Sequence, residues 1–382
     1  MKKRLVIGVV SMLSAARLYA SSGTEGAAFL DIPVGAGPAA MGSAYTALAT
    51  NVYAPVYNPA GLGFLNGTQI SGQHLSYLES IHYEHVGAVH PLAPTASGQK
   101  RGIGFSAQYL GSGDMAGTNE NGDSTGNFSS HYAAYNVAYG QTLAENVSIG
   151  LTGKWINAKI DDVSANAFAA DLGVLYRPND KLSLGSSIVN LGSKLKFLSE
   201  GDSLPLAFHA AAAYKITRQW MTTVEGIYRK NGLGSAHVGT EWRPLEALAL
   251  RVGYKTDTLD GLSALAGLTT GIGIYVYGQE LAYAFSPYSD LGNAQYFSLI
   301  VRFGEDLEAR RNLIQYQYIR KHQTVKVNKG STSGSSAFEK SNAQNTDSDA
   351  DAPEYQELMQ LLSHEDTHVA QTADDKELTP RE

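Results

Sequence analysis

Residues 206–229, LAFHAAAAYKITRQWMTTVEGIYR, decide the fold. Leu206, Phe208, Ala210, Ala212, Tyr214 and Ile216 alternate with Ala207, His209, Ala211, Ala213 and Lys215, and a second strand-like run follows after only Arg218-Gln219. Strict period two puts alternate side chains on opposite faces of a strand. A run of about 9–11 residues is the length of a tilted membrane-spanning strand. The same pattern recurs upstream, where Val147, Ile149, Leu151 and Trp155 alternate with Ser148, Gly150, Thr152 and Lys154, and downstream in Leu248, Leu250, Val252 and Tyr254. One face is apolar and often aromatic near its ends; the other is small, polar or charged.

Fourteen such segments are expected, near 68–78, 83–91, 101–110, 131–140, 147–158, 166–177, 181–190, 205–217, 220–229, 236–243, 247–256, 265–276, 279–286 and 294–303. A soluble sandwich would also alternate, so alternation alone leaves two architectures open. Loop parity separates them. Connections after odd strands are long: 111–130, 159–165, 191–204, 256–264 and 286–293. Those after even strands are mostly tight: 178–180, 218–219, 244–246 and 277–278, with 91–100 as the exception. An even strand count with short turns at one end and long loops at the other describes a transmembrane barrel. Phe297, Leu299, Val301 and Phe303 share a face, like the terminal-strand signal read by barrel-assembly machinery.

Composition agrees. The 382 residues include 40 Gly and 22 Tyr and are only 17% charged, as many short strands, turns and aromatic girdles require. The net charge of −7, with no basic patch, argues against nucleic acid as a partner, and the absence of Cys removes disulfides, thiolate nucleophiles and a lipoprotein anchor. Lys2-Lys3-Arg4, an apolar run from Leu5 to Leu13 and Ala20 before Ser21 form a secretory signal over residues 1–20.

Residues 21–66 precede the first strand. Gly35 and Gly37 bracket a turn, Pro38 suits a helix start, and 39–49 is expected to be helical with Met41, Ala44, Tyr45 and Leu48 on one face. Asn58-Pro59-Ala60-Gly61 reads as a turn. This helix and turn need a surface, and a barrel over residues 67–304 supplies one. Residues 305–382 read as a mostly disordered tail with short helices, too rich in Ser, Asn, Asp and Lys to bury a core.

The run FLDIPVGAGPAAMGSAYTALA over 29–49, followed by YNPAGL over 57–62, resembles the N-terminal signature of the PorV/PorQ outer-membrane family, within the FadL-like group of long-chain fatty acid transporters. LAYAFSPYSDLG over 281–292 resembles that family's final loop. Thr50-Asn51 departs from it, where such proteins often carry acidic residues. The resemblance covers residues 28–303. It implies an all-β, fourteen-stranded antiparallel barrel in the bacterial outer membrane with an N-terminal helical hatch; since the last strand ends on the short-turn side, the tail beyond it is expected in the periplasm. It also implies one of two functions. The first is passage of long-chain fatty acids or other hydrophobic ligands, gated by the hatch. The second is a plugged barrel that engages secretion-system or cargo proteins, as in type IX secretion or surface attachment.

The candidate hatch residues are Gly35, Gly37, Pro38, Gly42, Asn58, Pro59 and Gly61. If the apolar face meets outer-membrane lipid, then Lys154, Asp171, Glu225, Glu241, Arg251 and Arg302 face the lumen, where they solvate and pair or hold the hatch. No nucleophile accompanies the carboxylates, so no catalytic residue is assigned and the chain is read as a non-enzyme. His82 and His90 share a strand face that His85 does not, and zinc wants three or four convergent ligands, so no metal or other cofactor is expected. Gly102-Ile-Gly104 and Gly271-Ile-Gly273 sit in strand patterns rather than before helices, which excludes a nucleotide fingerprint.

Overall fold

The computed structural model describes residues 25–77, 80–230, 234–257, 264–288 and 292–304. The signal over 1–20 and the tail over 305–382 lie outside the described residues. Fourteen antiparallel strands close into one barrel. They are β1 (Thr68–Ser76), β2 (His82–Leu92), β3 (Arg101–Gly111), β4 (Ser130–Ala144), β5 (Val147–Ile160), β6 (Val163–Tyr176) and β7 (Leu182–Gly192). Then come β8 (Ala207–Lys215), β9 (Trp220–Arg229), β10 (Ser235–Leu245), β11 (Leu248–Lys255), β12 (Leu268–Val276), β13 (Gln279–Pro287) and β14 (Asn293–Phe303). Each pairs with its sequence neighbours, and β14 returns to β1 with Phe303 opposite Thr68 and Gln295 opposite Ser76. Closure leaves the barrel sheet itself without a free edge.

The period-two reading places the faces. Val86, Phe105, Val137, Leu151, Phe168 and Val224 point out and are each more than half exposed, whereas Lys154, Asp171, Glu225 and Arg251 point in and are buried. The outward aromatics gather in two bands. Tyr109, Tyr135, Trp155 and Phe168 lie towards the long-loop end, and Tyr176, Tyr214, Trp220, Trp242 and Phe303 lie at the short-turn end. Trp220 and Trp242 are direct cross-strand partners, and Tyr135 stacks on Trp155 with ring centres 5.3 Å apart. Amphipathic rings in two girdles around an apolar belt are what a bilayer selects.

One connection differs from its sequence reading. Residues 159–165 form no long loop: β5 runs to Ile160, β6 starts at Val163, and Asp161 turns the chain at a φ of 54°. Asp-Asp with the first residue left-handed suffices for a two-residue hairpin. The other long connections stand, and two carry hairpins of their own: Met115–Thr118 with Ser124–Phe128, and Leu195–Phe197 with Glu200–Asp202.

The lumen is filled. Residues 27–65 run through it from the long-loop end, where the Gly26 N–H donates to Ser203 O at 2.9 Å, to the short-turn end, where Phe64 lies under Arg177. Within this segment the expected helix over 39–49 is absent. A single turn, α1 (Ala36–Ala40), ends where Gly42 and Ser43 take φ of 63° and 62°. Pro38 sits inside that first turn rather than at its start. Met41 and Ala44 are buried and Tyr45 and Leu48 half-buried, but on successive turns rather than one helical face. A second turn, α2 (Ala54–Tyr57), leads into a 3-10 stretch over Pro59–Phe64, capped by the Asn58 side chain accepting from the Ala60 N–H at 3.1 Å.

Candidate functional site: the lumenal segment and its walls

A buried peptide without long helices leaves its own N–H and C=O groups to be satisfied by something else. Here the barrel's inward side chains do it. Ala36 N–H donates to Ser298 Oγ at 3.1 Å and Gly35 N–H to Gln73 Oε1. Thr269 accepts from Gly42 N–H and donates to Ala40 O, both at 3.0 Å. Thr223 donates to Ala44 O at 3.0 Å, Ser183 to Ala47 O at 2.7 Å, Thr152 to Pro55 O at 3.1 Å and Ser187 to Tyr57 O at 3.1 Å. Val52 N–H donates to Gln69 Oε1 at 3.1 Å. The tertiary bonds replace the helical ladder, which is why a stretch of good helix formers is not helical. They also explain the Ser, Thr and Gln on the strands' inner face.

The small residues on that face have an equally direct cause. A methyl added at Gly150 would lie 2.2 Å from Pro59 C, and one at Gly140 2.4 Å from Pro59 O. One at Gly173 would lie 2.1 Å from Asn58 Oδ1, and one at Gly253 2.0 Å from Gly42 N. The glycines thus form notches that let the segment's backbone touch the wall. Asn58 fits its notch by donating to Thr46 O at 3.0 Å and Val174 O at 3.1 Å. Gly61 approaches the Ala49 carbonyl so closely that a Cβ would sit 1.6 Å from its oxygen. Gly35, at φ 88°, lies against the Tyr53 ring, and Gly37 lies beside Arg251. Tyr57 pins the start of the segment by donating to Val34 O at 2.9 Å and accepting from Val34 N–H at 3.0 Å.

The inward charges are grouped in three places. At mid-barrel, Glu225 accepts from the Thr46 N–H at 3.0 Å and its hydroxyl at 2.7 Å, with His209 Nδ1 at 2.7 Å. Lys154 meets Asp171 and Asn190 Oδ1, each at 2.8 Å, where β7 bulges at Val189–Asn190 and Asn190 takes φ 61°. Towards the short-turn end, Arg251 reaches Glu241 and Glu280 at 2.7 Å each; Arg302 meets Glu280 at 2.9 Å and Arg243 meets Glu241 at 2.7 Å. Tyr275 accepts from both Arg243 and Arg251. At the long-loop end, Asp257 lies 3.4 Å from His237, 3.7 Å from Arg229 and 3.9 Å from Lys255, and Arg229 also holds Asp31 at 3.2 Å. Burial raises the Asp257 carboxyl, but the His237 bond and the Lys255 and Arg229 charges outweigh it and hold Asp257 well below the usual carboxylate range.

Of the six lumenal charges read from the sequence, Lys154 pairs with Asp171; Glu241, Arg251 and Arg302 join one network, with Arg251 beside Gly37; and Glu225 hydrogen-bonds Thr46 of the segment directly. Sequence reasoning missed Gln73, Thr269, Ser298, Glu280 and the wall glycines. The signal for the glycines was available, because Gly140, Gly150, Gly173 and Gly253 all fall on the inward parity of their strands. Gly102-Ile-Gly104 and Gly271-Ile-Gly273 belong to the same set, with Leu62 and Ala40 against them. His85 is 1% exposed against Tyr53, His90 meets Thr68 at 2.7 Å, and no group of three or more metal-ligating side chains occurs among the described residues.

Two cavities flank the segment. One of about 230 Å³ faces the short-turn end, with Met41 and Tyr45 in its wall. The other, about 70 Å³, faces the long-loop end and is bounded by Ser43, Val56 and Tyr57. Residues 41–57 therefore stand between the two.

No protein-family model and no curated protein matches the chain. Among solved structures it is similar to the Pseudomonas putida toluene transporter TodX, at 14% identity and a TM-score of 0.48, over 70% of this chain and 96% of that one. It is also similar to a Pseudomonas aeruginosa FadL homologue, at 10% and 0.48 over 72% and 99%, and to the CymD monoaromatic hydrocarbon channel, at 13% and 0.46 over 71% and 97%.

Proposed function

We propose that this chain is an outer-membrane channel of the FadL-like kind, passing hydrophobic small molecules, with residues 27–65 as its hatch. The short-turn end faces the periplasm and the long loops face outward. The observation that carries the reading is the segment across the bore, with a cavity on either side and its backbone docked on glycine notches by separate side-chain hydrogen bonds from the wall. Such contacts are individually worth about 0.5–1.5 kcal/mol, so parts of the segment can leave the wall without unfolding the barrel. Gly35, Gly42 and Gly61 are the positions where the backbone turns or closes most tightly, and are the proposed hinges. Pro38, Asn58 and Pro59 hold the parts between.

The test compares the full chain with a variant lacking residues 35–63, both reconstituted in vesicles. Uptake of a hydrophobic probe by the full chain, together with leakage of small sugars only in the deletion variant, supports a gated hydrophobic path. Absence of hydrophobic uptake by the full chain sinks the transport reading. That outcome favours the second reading, a permanently plugged barrel that serves secretion or attachment partners, for which the small size of the two cavities speaks.

A further inference from the structure

The short-turn mouth carries charge that a hydrophobic solute does not use. Its cavity is lined by Arg177, Lys181, Lys215, Arg243, Arg251 and Arg302 against three carboxylates, a local positive surplus in a chain whose total charge is −7. Glu241 and Glu280 are already shared among three arginines. Arg251, 5% exposed, keeps an Nη1 with no acceptor. Lys181 and Lys215 stand side by side, the Lys215 N–H donating to Lys181 O at 2.8 Å, and among the described residues neither is in an ion pair. Like charges on neighbouring strands repel. Arg177 is held in place over the Phe64 ring, 5.3 Å from its centre.

We propose that this vestibule binds a phosphoryl group, whose oxygens accept from Lys181, Lys215 and the outer edge of Arg243. A dianion is favoured over a single carboxylate because it matches two unpaired ammoniums and an arginine surplus, and because phosphate oxygens suit both point charges and guanidinium forks. Leu48, Met221 and Ile300 in the same cavity give an apolar floor to whatever the phosphate is attached to. The source is either a free phosphoester or a phospholipid headgroup reached from the barrel's rim. The proposal does not depend on transport, since a permanently plugged barrel would keep the same mouth.

The test is calorimetric titration of the full chain in non-ionic detergent with inorganic phosphate, glycerol 3-phosphate and a short-chain phosphatidic acid. Saturable binding of the water-soluble probes identifies a free phosphoester site; binding of the phosphatidic acid alone identifies a headgroup site. Lys181→Glu/Lys215→Glu is expected to weaken binding tenfold or more. Lys159→Glu/Lys196→Glu, with the same charge change at the other end, is expected to leave it within twofold. A heat-modifiable band on gels reports folding, and Lys181→Gln/Lys215→Gln serves if charge reversal prevents it. No saturable binding of any probe, or equal binding by the Lys181/Lys215 variants, overturns the proposal.

Discussion

Gly150→Ala isolates the role of the wall glycines. The added methyl would lie 2.2 Å from Pro59 C and 2.4 Å from Ala60 N, both backbone atoms that no rotamer change can move aside. Pro59 must therefore retreat by more than an ångström, against the Asn58 bonds to Thr46 O and Val174 O. Overpacking of this kind costs about 1–3 kcal/mol. A 2 kcal/mol bias towards the undocked segment corresponds to roughly a 30-fold rise in its population. Gly153 is the internal control, three residues along the same strand with nothing within 4 Å of an added Cβ. The chain has no cysteine, so a single reporter at the fully buried Ala60 can be labelled cleanly. With Ala60→Cys in place, maleimide labelling is expected to accelerate roughly 30-fold in Gly150→Ala, following that population, and to stay unchanged in Gly153→Ala. Equal rates in all three proteins, or equal acceleration by both substitutions, would refute the notch argument.

Three further outcomes follow from the charges. Glu225→Gln keeps the volume but weakens two charge-assisted bonds to Thr46, of about 1.5–3 kcal/mol each; labelling of a cysteine at Ala44 should rise at least tenfold while the barrel keeps its heat-modifiable mobility. Arg251→Met leaves Glu241 and Glu280 short of their shared partner in a buried place, and should lower barrel stability by about 3–5 kcal/mol in urea titrations from lipid vesicles; a loss below 1 kcal/mol would mean that water replaces the guanidinium. Because the folded Asp257 carboxyl lies below its unfolded value, its contribution is fully present above about pH 4 and is lost as pH falls through the folded value. The stability gap between the parent and Asp257→Asn should therefore be constant from neutral pH down to about pH 5 and close only in stronger acid. A gap that closes nearer neutrality would assign the effect to a histidine instead.

The barrel was legible because its signal is repeated: each strand independently shows apolar side chains at every second position, and errors in one boundary do not disturb the next. The turn at 161–162 was misread because Lys159 and Ala165 look like loop residues, yet polar ends of β5 and β6 simply extend past the bilayer belt as paired strand. The segment over 39–49 was misread for a different reason. Ala, Met and Leu favour a helix when local terms decide, but Thr223 and Glu225, 179 residues from their partners, and Thr269, 229 residues from its own, take over the backbone groups a helix would have used. Nothing within the segment announces that substitution. The inner glycines were visible on the small, polar face of their strands, but nothing in a strand pattern says that a backbone will press against them.

The direction in which residues 27–65 cross the bore bears on how the protein is assembled. Ala28–Asp31 lies among the long loops while Leu65 leads into β1 at the opposite end, and β1 is also the strand that β14 must find to complete the wall. A chain threaded lengthwise through a cylinder is most simply placed by rolling the sheet around it. The segment would then act as the former on which curvature is set, each glycine recording where it pressed against the forming wall. A peptide of residues 27–65 added to a barrel already closed without it should consequently fail to restore native heat resistance, whereas the same peptide present during refolding should restore it.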